Sequence, residues 1–114
     1  MGLALQPLSI GNIELKNRLL LAPSGTGTGD GDGHITEDTL RWFEQRSKGF
    51  AIAVTEHAAV DALGVYHKNM ITAADGSCIP GFSRLAGVLH QNGCRCRRMG
   101  FAGAARLPGP GEKP

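Results

Sequence analysis

The densest group of residues able to engage a ligand lies just after Pro23. Gly25, Gly27, Gly29, Gly31 and Gly33 alternate there with small or acidic residues. A backbone so poor in side chains admits close approach of a ligand but carries little chemistry of its own. A dinucleotide fingerprint needs glycine at positions 1, 3 and 6; counting from Gly25, Gly27 or Gly29, the sixth position is Asp30, Asp32 or His34. A phosphate loop needs Gly-Lys-Ser/Thr, and no lysine occurs between Lys16 and Lys48. Asp30 and Asp32 would moreover repel phosphate. The same stretch overlays a calcium loop from Thr28 to Thr39, with Asp30 and Asp32 at positions 3 and 5, Gly33 at 6 and Ile35 at 8. Its first and last ligand positions hold Thr28 and Thr39, and the glycines before it cannot form the incoming helix. Two solvated aspartates in a polar turn are the plainer reading.

Glu56 and His57 form a second candidate pair. They close an apolar run, where α/β folds place ligands. Glu56 serves equally well as a base or as an anchor for backbone, and His57 as a ligand contact or a loop histidine. His34, His67 and His90 read as surface residues. Cys94 and Cys96 share a strand face, but two thiols without a second pair do not make a zinc site.

The elements that position these residues are legible in outline. Pro7 to Leu15, with Gly11-Asn12 at its middle, predicts a small hairpin suited to cover the end of a larger sheet. Leu19 to Ala22 is an apolar run expected to be a strand covered on both faces, stopped by Pro23. Thr36 is the expected N-cap of a helix reaching Lys48, with Leu40, Phe43 and Ser47 on one face and Gly49 as its C′ residue. A second strand over Phe50 to Thr55 ends at Glu56. A second helix runs from about Pro80 to Gln91, with Phe82, Leu85, Val88 and Leu89 as its stripe and Gly93 closing it. The signal for a third strand is poor: residues 94–99 carry three arginines, and residues 100–114 read as loop or disorder. This order of elements predicts a parallel α/β sheet, either doubly wound or the start of a (β/α)8 barrel.

Composition adds bounds. The chain has 114 residues, enough for one domain at most, and its 41% hydrophobic and 19% charged residues are ordinary for a globular protein. From Cys94 onward five basic residues face the single acid Glu112, against seven basic and nine acidic before it. Three cysteines without a preceding signal segment lead to the expectation of a reducing, cytoplasmic setting. Neither a membrane nor a nucleic acid is an expected partner.

Several segments together resemble a known family. They are Gly11-Asn12-Ile13-Glu14-Leu15-Lys16-Asn17-Arg18, Leu21-Ala22-Pro23, Asp32-Gly33-His34-Ile35-Thr36, Thr55-Glu56-His57-Ala58-Ala59-Val60, Ile79-Pro80-Gly81-Phe82 and Leu89-His90-Gln91-Asn92-Gly93. In this order and spacing, over about Leu5 to Gly93, the chain resembles the old yellow enzyme family, the FMN-dependent NADH:flavin oxidoreductases. The nearest subgroup carries a Glu-His pair after strand two. The resemblance implies a (β/α)8 TIM barrel, represented here by its first two to three βα units and the N-terminal hairpin. It further implies FMN at the C-terminal strand ends, NADH or NADPH as reductant, and an activated alkene such as an enone or enoyl thioester as substrate.

By the same resemblance Ala22, Pro23, Ser24 and Gly25 lie along the flavin, and His57 contacts it from strand two. Ser24 replaces a usual methionine, and Gly25 a threonine or cysteine that tunes the ring. At strand three Arg98 or Met99 stands where a glutamine is expected, and Phe101 or Ala102 where a histidine is. The basic run begins abruptly after a regular helix. Residues 1–93 are therefore expected to be the N-terminal part of an FMN-binding barrel, and 94–114 a degenerate or frameshifted, disordered tail. Such barrels need about 250 residues and draw their phosphate site from the loops after strands seven and eight. The chain is therefore expected to be truncated and inactive alone. A small non-enzymatic module with a weak calcium site in the Gly-Asp loop is the alternative.

Overall fold

The computed structural model describes residues 2–101. The chain opens with an antiparallel hairpin, β1 (Leu8–Ile10) and β2 (Ile13–Leu15), turned at Gly11 with φ +57°. A second sheet contains β3 (Leu20–Leu21), β4 (Ile52–Ala59) and β5 (Arg95–Phe101), parallel and in the order β3-β4-β5. Helix α1 (Glu37–Arg46) connects β3 to β4, and α2 (Ile79–Gln91) connects β4 to β5. Strand order follows chain order, a plan shared by the opening turns of a barrel and one half of a doubly wound sheet.

Thr36 caps α1 as its position before an acidic first turn requires. Its hydroxyl accepts from the Thr39 N–H, and Thr39 Oγ1 accepts from the Thr36 N–H, a reciprocal capping box. Leu40 and Phe43 of α1 meet Leu85 and Leu89 of α2 over Ala53 and Cys94, forming the main core. The C-terminal carbonyls of both helices, orphaned by helix geometry, are gathered by three side chains. Lys16 Nζ donates to Lys48 O (3.1 Å) and Asn92 O (2.8 Å). Asn92 Nδ2 donates to Glu44 O (2.9 Å), and Asn17 Nδ2 to Gly49 O (3.0 Å). Gly93 takes the left-handed conformation (φ +70°) after α2, as expected. Gly49 does not, because Ser47 is the C-cap and the side-chain clasp replaces a glycine cap.

Three sequence expectations are corrected. Strand β3 is not covered on both faces: Leu21 packs on the core, but Leu20 is 49% exposed. Strand β4 runs three residues past Glu56, so Glu56 and His57 lie within it. Residues 95–101, expected in a loop or a disordered tail, form β5. Pairing to β4 engages the backbone groups on one edge of β5 whatever its side chains, Cys96 packs against the core, and the Arg98 guanidinium lies over the Phe82 ring at 5.7 Å. Residues 102–114, the rest of that expected tail, lie outside the described residues.

Candidate functional site

The site begins with an irregularity in β4. Val54 pairs with Arg97 but His57 with Met99, so three steps on β4 match two on β5. One residue is therefore inserted at Thr55-Glu56, a bulge of the kind that re-aims side chains near ligand sites. Without it His57 would share the face of Ala53, which packs on the helices. With it His57 joins Ile52 and Val54 on the opposite face. In a closed barrel that face is the interior, and its C-terminal end is where ligands bind.

Beyond the end of β3, Ala22, Pro23, Ser24 and Gly25 are all exposed and form a ledge with few side chains. Gly25 adjoins His57: a Cβ placed on Gly25 would lie 3.6 Å from His57 Cε1. The fold thus brings together two of the five residues singled out in the sequence, with Ala22, Pro23 and Ser24 leading up to them. Tyr66 joins them, stacked on His57 with ring centroids 5.4 Å apart and planes at 21°. Its hydroxyl is hydrogen-bonded to His57 Nε2. Sequence reasoning missed Tyr66, because a tyrosine nine residues from His57 in a loop has no local signal. Its placement comes from a 3₁₀ turn at Ala62–Gly64, capped by Asp61, and from Ala59, which pairs with Thr72 and ties the loop back to β4.

Glu56 is buried beneath this ledge at 2% exposure. Its Oε1 accepts from the Thr26 hydroxyl (2.6 Å) and its Oε2 from the Thr26 N–H (3.1 Å). Thr26 Oγ1 meets Thr28 Oγ1 at 2.7 Å, which meets Thr39 Oγ1 at 2.6 Å. Of the two roles open to Glu56 in the sequence, the contacts found are those of an anchor.

The calcium reading gains nothing from the geometry. Asp30 Oδ1 accepts from the N–H groups of Asp32 (2.8 Å) and His34 (3.0 Å), and Oδ2 meets His34 Nδ1 at 3.1 Å. That carboxylate is engaged by its own loop. Among the described residues no three His, Cys, Asp or Glu side chains converge on a possible metal position. Burial pushes the Cys94 and Cys96 thiols up, which favours the protonated form over a thiolate ligand. His34, expected on the surface, bridges Asp30 to Ser77, with Nε2 3.0 Å from Ser77 Oγ.

Two carboxyls here are held below their ordinary value of 3.8: Asp30 by the His34 and Asp32 backbone N–H groups, and Asp75 by the Ser77 hydroxyl and then its N–H. A carboxyl depressed in the folded state stabilises the fold above its unfolded value, and that contribution is lost as pH falls through the folded value. Denaturation midpoints should therefore drop below about pH 4, and the double variant Asp30→Asn, Asp75→Asn should show a flatter acid limb. An unchanged limb in that variant would show that these loop carboxylates do not contribute.

Comparison with known proteins defines the class. The profile of the NADH:flavin oxidoreductase / NADH oxidase family matches residues 4–97. Among solved structures, the chain superposes on 2-naphthoyl-CoA reductase in complex with 2-naphthoyl-CoA with a TM-score of 0.81 at 24% identity, covering 85% of this chain and 15% of that one. It superposes on the old yellow enzyme of Pichia sp. AKU4542 with a TM-score of 0.80 at 20% identity, covering 88% of this chain and 26% of that one. The described residues are therefore part of a (β/α)8 barrel, which settles the choice that periodicity left open.

In sequence it is 30% identical over 92 residues to the NADH:fumarate oxidoreductase of Klebsiella pneumoniae (strain 342), covering 80% of this chain and 10% of that protein. The chain belongs to the NADH:flavin oxidoreductase / NADH oxidase family. It spans about a tenth of that curated relative's length.

Proposed function

We infer that this chain forms the flavin-facing opening part of an FMN-dependent oxidoreductase that draws electrons from NADH or NADPH. The observation that carries this is the meeting of Gly25 and His57 at the C-terminal end of parallel strands, in a chain of this family. A planar ring needs a surface without projecting side chains. Ala22 to Gly25 supplies one, and the space a Gly25 side chain would fill opens onto His57. Held along Ala22 to Gly25 and His57, FMN would supply two-electron chemistry between a nicotinamide and an electron-poor C=C bond. An enone or enoyl thioester is the substrate class of this reading. The fumarate in the relative's name is likewise an alkene made electron-poor by conjugated carboxyl groups.

The chain's own contribution is to hold and orient the ring. Contact through the isoalloxazine alone, about 19 heavy atoms at about −0.3 kcal/mol each, corresponds to a dissociation constant of about 0.1 mM. Titration of the 114-residue chain with FMN, followed by quenching of flavin fluorescence, should saturate in that range. Gly25→Leu should abolish the quenching. Absence of saturable quenching by a chain whose circular dichroism shows intact helices would overturn the reading. NADH should not bleach FMN held by this chain alone, because the phosphate site of such barrels comes from the loops after strands seven and eight. Stoichiometric bleaching would refute that second half.

A further inference from the structure

Glu56 has both carboxylate oxygens engaged by one residue, Thr26. A hydroxyl carries a single proton. Thr26 commits its proton to Glu56, so in the 2.7 Å contact between Thr26 and Thr28 the donor is Thr28. The Thr28 proton is thereby used, so Thr39 donates across the 2.6 Å contact to Thr28. Thr36 directs its own proton to the Thr28 carbonyl at 2.7 Å. Every hydroxyl in the chain then has one orientation, and the hydrogen bonds run one way, from α1 to the carboxylate. Thr39 at 0% and Glu56 at 2% exposure have little recourse to water, so a break would leave buried polar atoms unsatisfied.

This chain ties three separate segments together. Thr39 belongs to the first turn of α1, Thr26 and Thr28 to the glycine loop, and Glu56 to the bulge of β4. Thr26 directly follows Gly25, so its anchored N–H fixes the end of the ledge. The bulge that delivers His57 to the open face also delivers Glu56 to the loop beneath it. We propose that Glu56 is a positioning residue, whose carboxylate holds the main chain of Ala22 to Gly25 against His57 so that a planar ring meets a preformed surface. The proposal rests on the flavin-facing reading of that ledge and adds to it the residue responsible for the ledge's shape.

The test uses the full chain, amide hydrogen exchange without any flavin, and FMN titration. Loss of the anchor in Glu56→Leu should speed exchange of the Thr26 amide about tenfold or more, with Leu85 and Leu89 amides within about twofold. The FMN dissociation constant should rise about tenfold, the effect of one lost charge-assisted hydrogen bond. Glu56→Gln should rescue both readouts. Its carbonyl can accept the Thr26 N–H while its amide starts the chain in reverse, through Thr26, Thr28 and Thr39 to Thr36 Oγ1, 3.2 Å from Thr39. A residue needed only for packing would not be restored by the polar variant and replaced poorly by leucine in this way.

Thr26→Val keeps the anchored N–H and removes the hydroxyl, so it should fall between the two, and it carries the comparison if Glu56→Leu does not fold. Unchanged Thr26 exchange in both Glu56→Leu and Thr26→Val would overturn the proposal, as would a Glu56→Gln chain that behaves like Glu56→Leu. If the wild-type chain fails to bind FMN, the functional reading falls on that result, and the exchange data still decide the role of Glu56.

Discussion

Phe43→Ala is expected to remove most of the chain's folding stability at 25 °C. Phe43 is 1% exposed and sits where both helices meet the sheet, among Leu40, Leu85, Leu89 and Ala53. Truncation removes the ring and leaves a cavity between two helices and a sheet, at a cost of about 3–5 kcal/mol. A domain of this size has about 5–15 kcal/mol in total. This one stands near the lower bound, because one face of its sheet contributes little burial: Leu20 and Met99 there are 49% and 41% exposed. Urea unfolding followed by circular dichroism measures the difference. Trp42 is unsuitable as the probe, since its ring stacks edge-on with Phe43 at 4.8 Å and would report the substitution itself. A loss below about 1 kcal/mol would mean that the helix–sheet core is not the main source of stability.

The second large effect is expected from a single added methyl group. In Gly29→Ala the new Cβ would lie 2.6 Å from the carbonyl oxygen of Asn69 and 3.1 Å from that of Met70. Both obstacles are backbone, and Gly29 N–H already donates to the same Asn69 oxygen at 2.9 Å. Relief requires the glycine loop to lift away from the loop that leads to Met70 and Ile71, which are 2% and 0% exposed. Overpacking against flexible side chains costs about 1–3 kcal/mol, and against backbone the cost lies at the upper end or beyond. Gly87→Ala is the matched control. Gly87 is helical, with nothing within 4 Å of an added Cβ, so alanine there should stabilise by about 0.5–1 kcal/mol. Melting temperatures that move in the same direction for both variants would refute the close approach of the two loops.

These contrasts show where local information stops. Gly11-Asn12 between two alternating runs, Thr36 before an acidic turn, and the Leu85-Leu89 stripe each carry their structure within a few residues, and each was legible. The parallel arrangement followed from the order of strands and helices, and the family from an ordered set of short segments. What the sequence alone could not show depends on contacts between distant residues. The arginine-rich stretch after Cys94 is a strand because β4 offers it a ladder, and a ladder satisfies backbone regardless of side-chain preference. Leu20 looks buried in a run of leucines, yet no partner in the described residues covers it. Gly49 looks like a helix stop, but Lys16 and Asn92, from other elements, satisfy those carbonyls instead.

For the site, the sequence by itself marked the Glu-His pair, which closes an apolar run, while Ala22 to Gly25 were marked by the resemblance of the ordered segments to the family. Only the tertiary structure decided where they sit relative to one another. A one-residue bulge in β4 reverses the side-chain alternation beyond it, sending His57 to the open face and Glu56 beneath the loop. Register is a property of two paired strands, so no reading of one strand alone contains it.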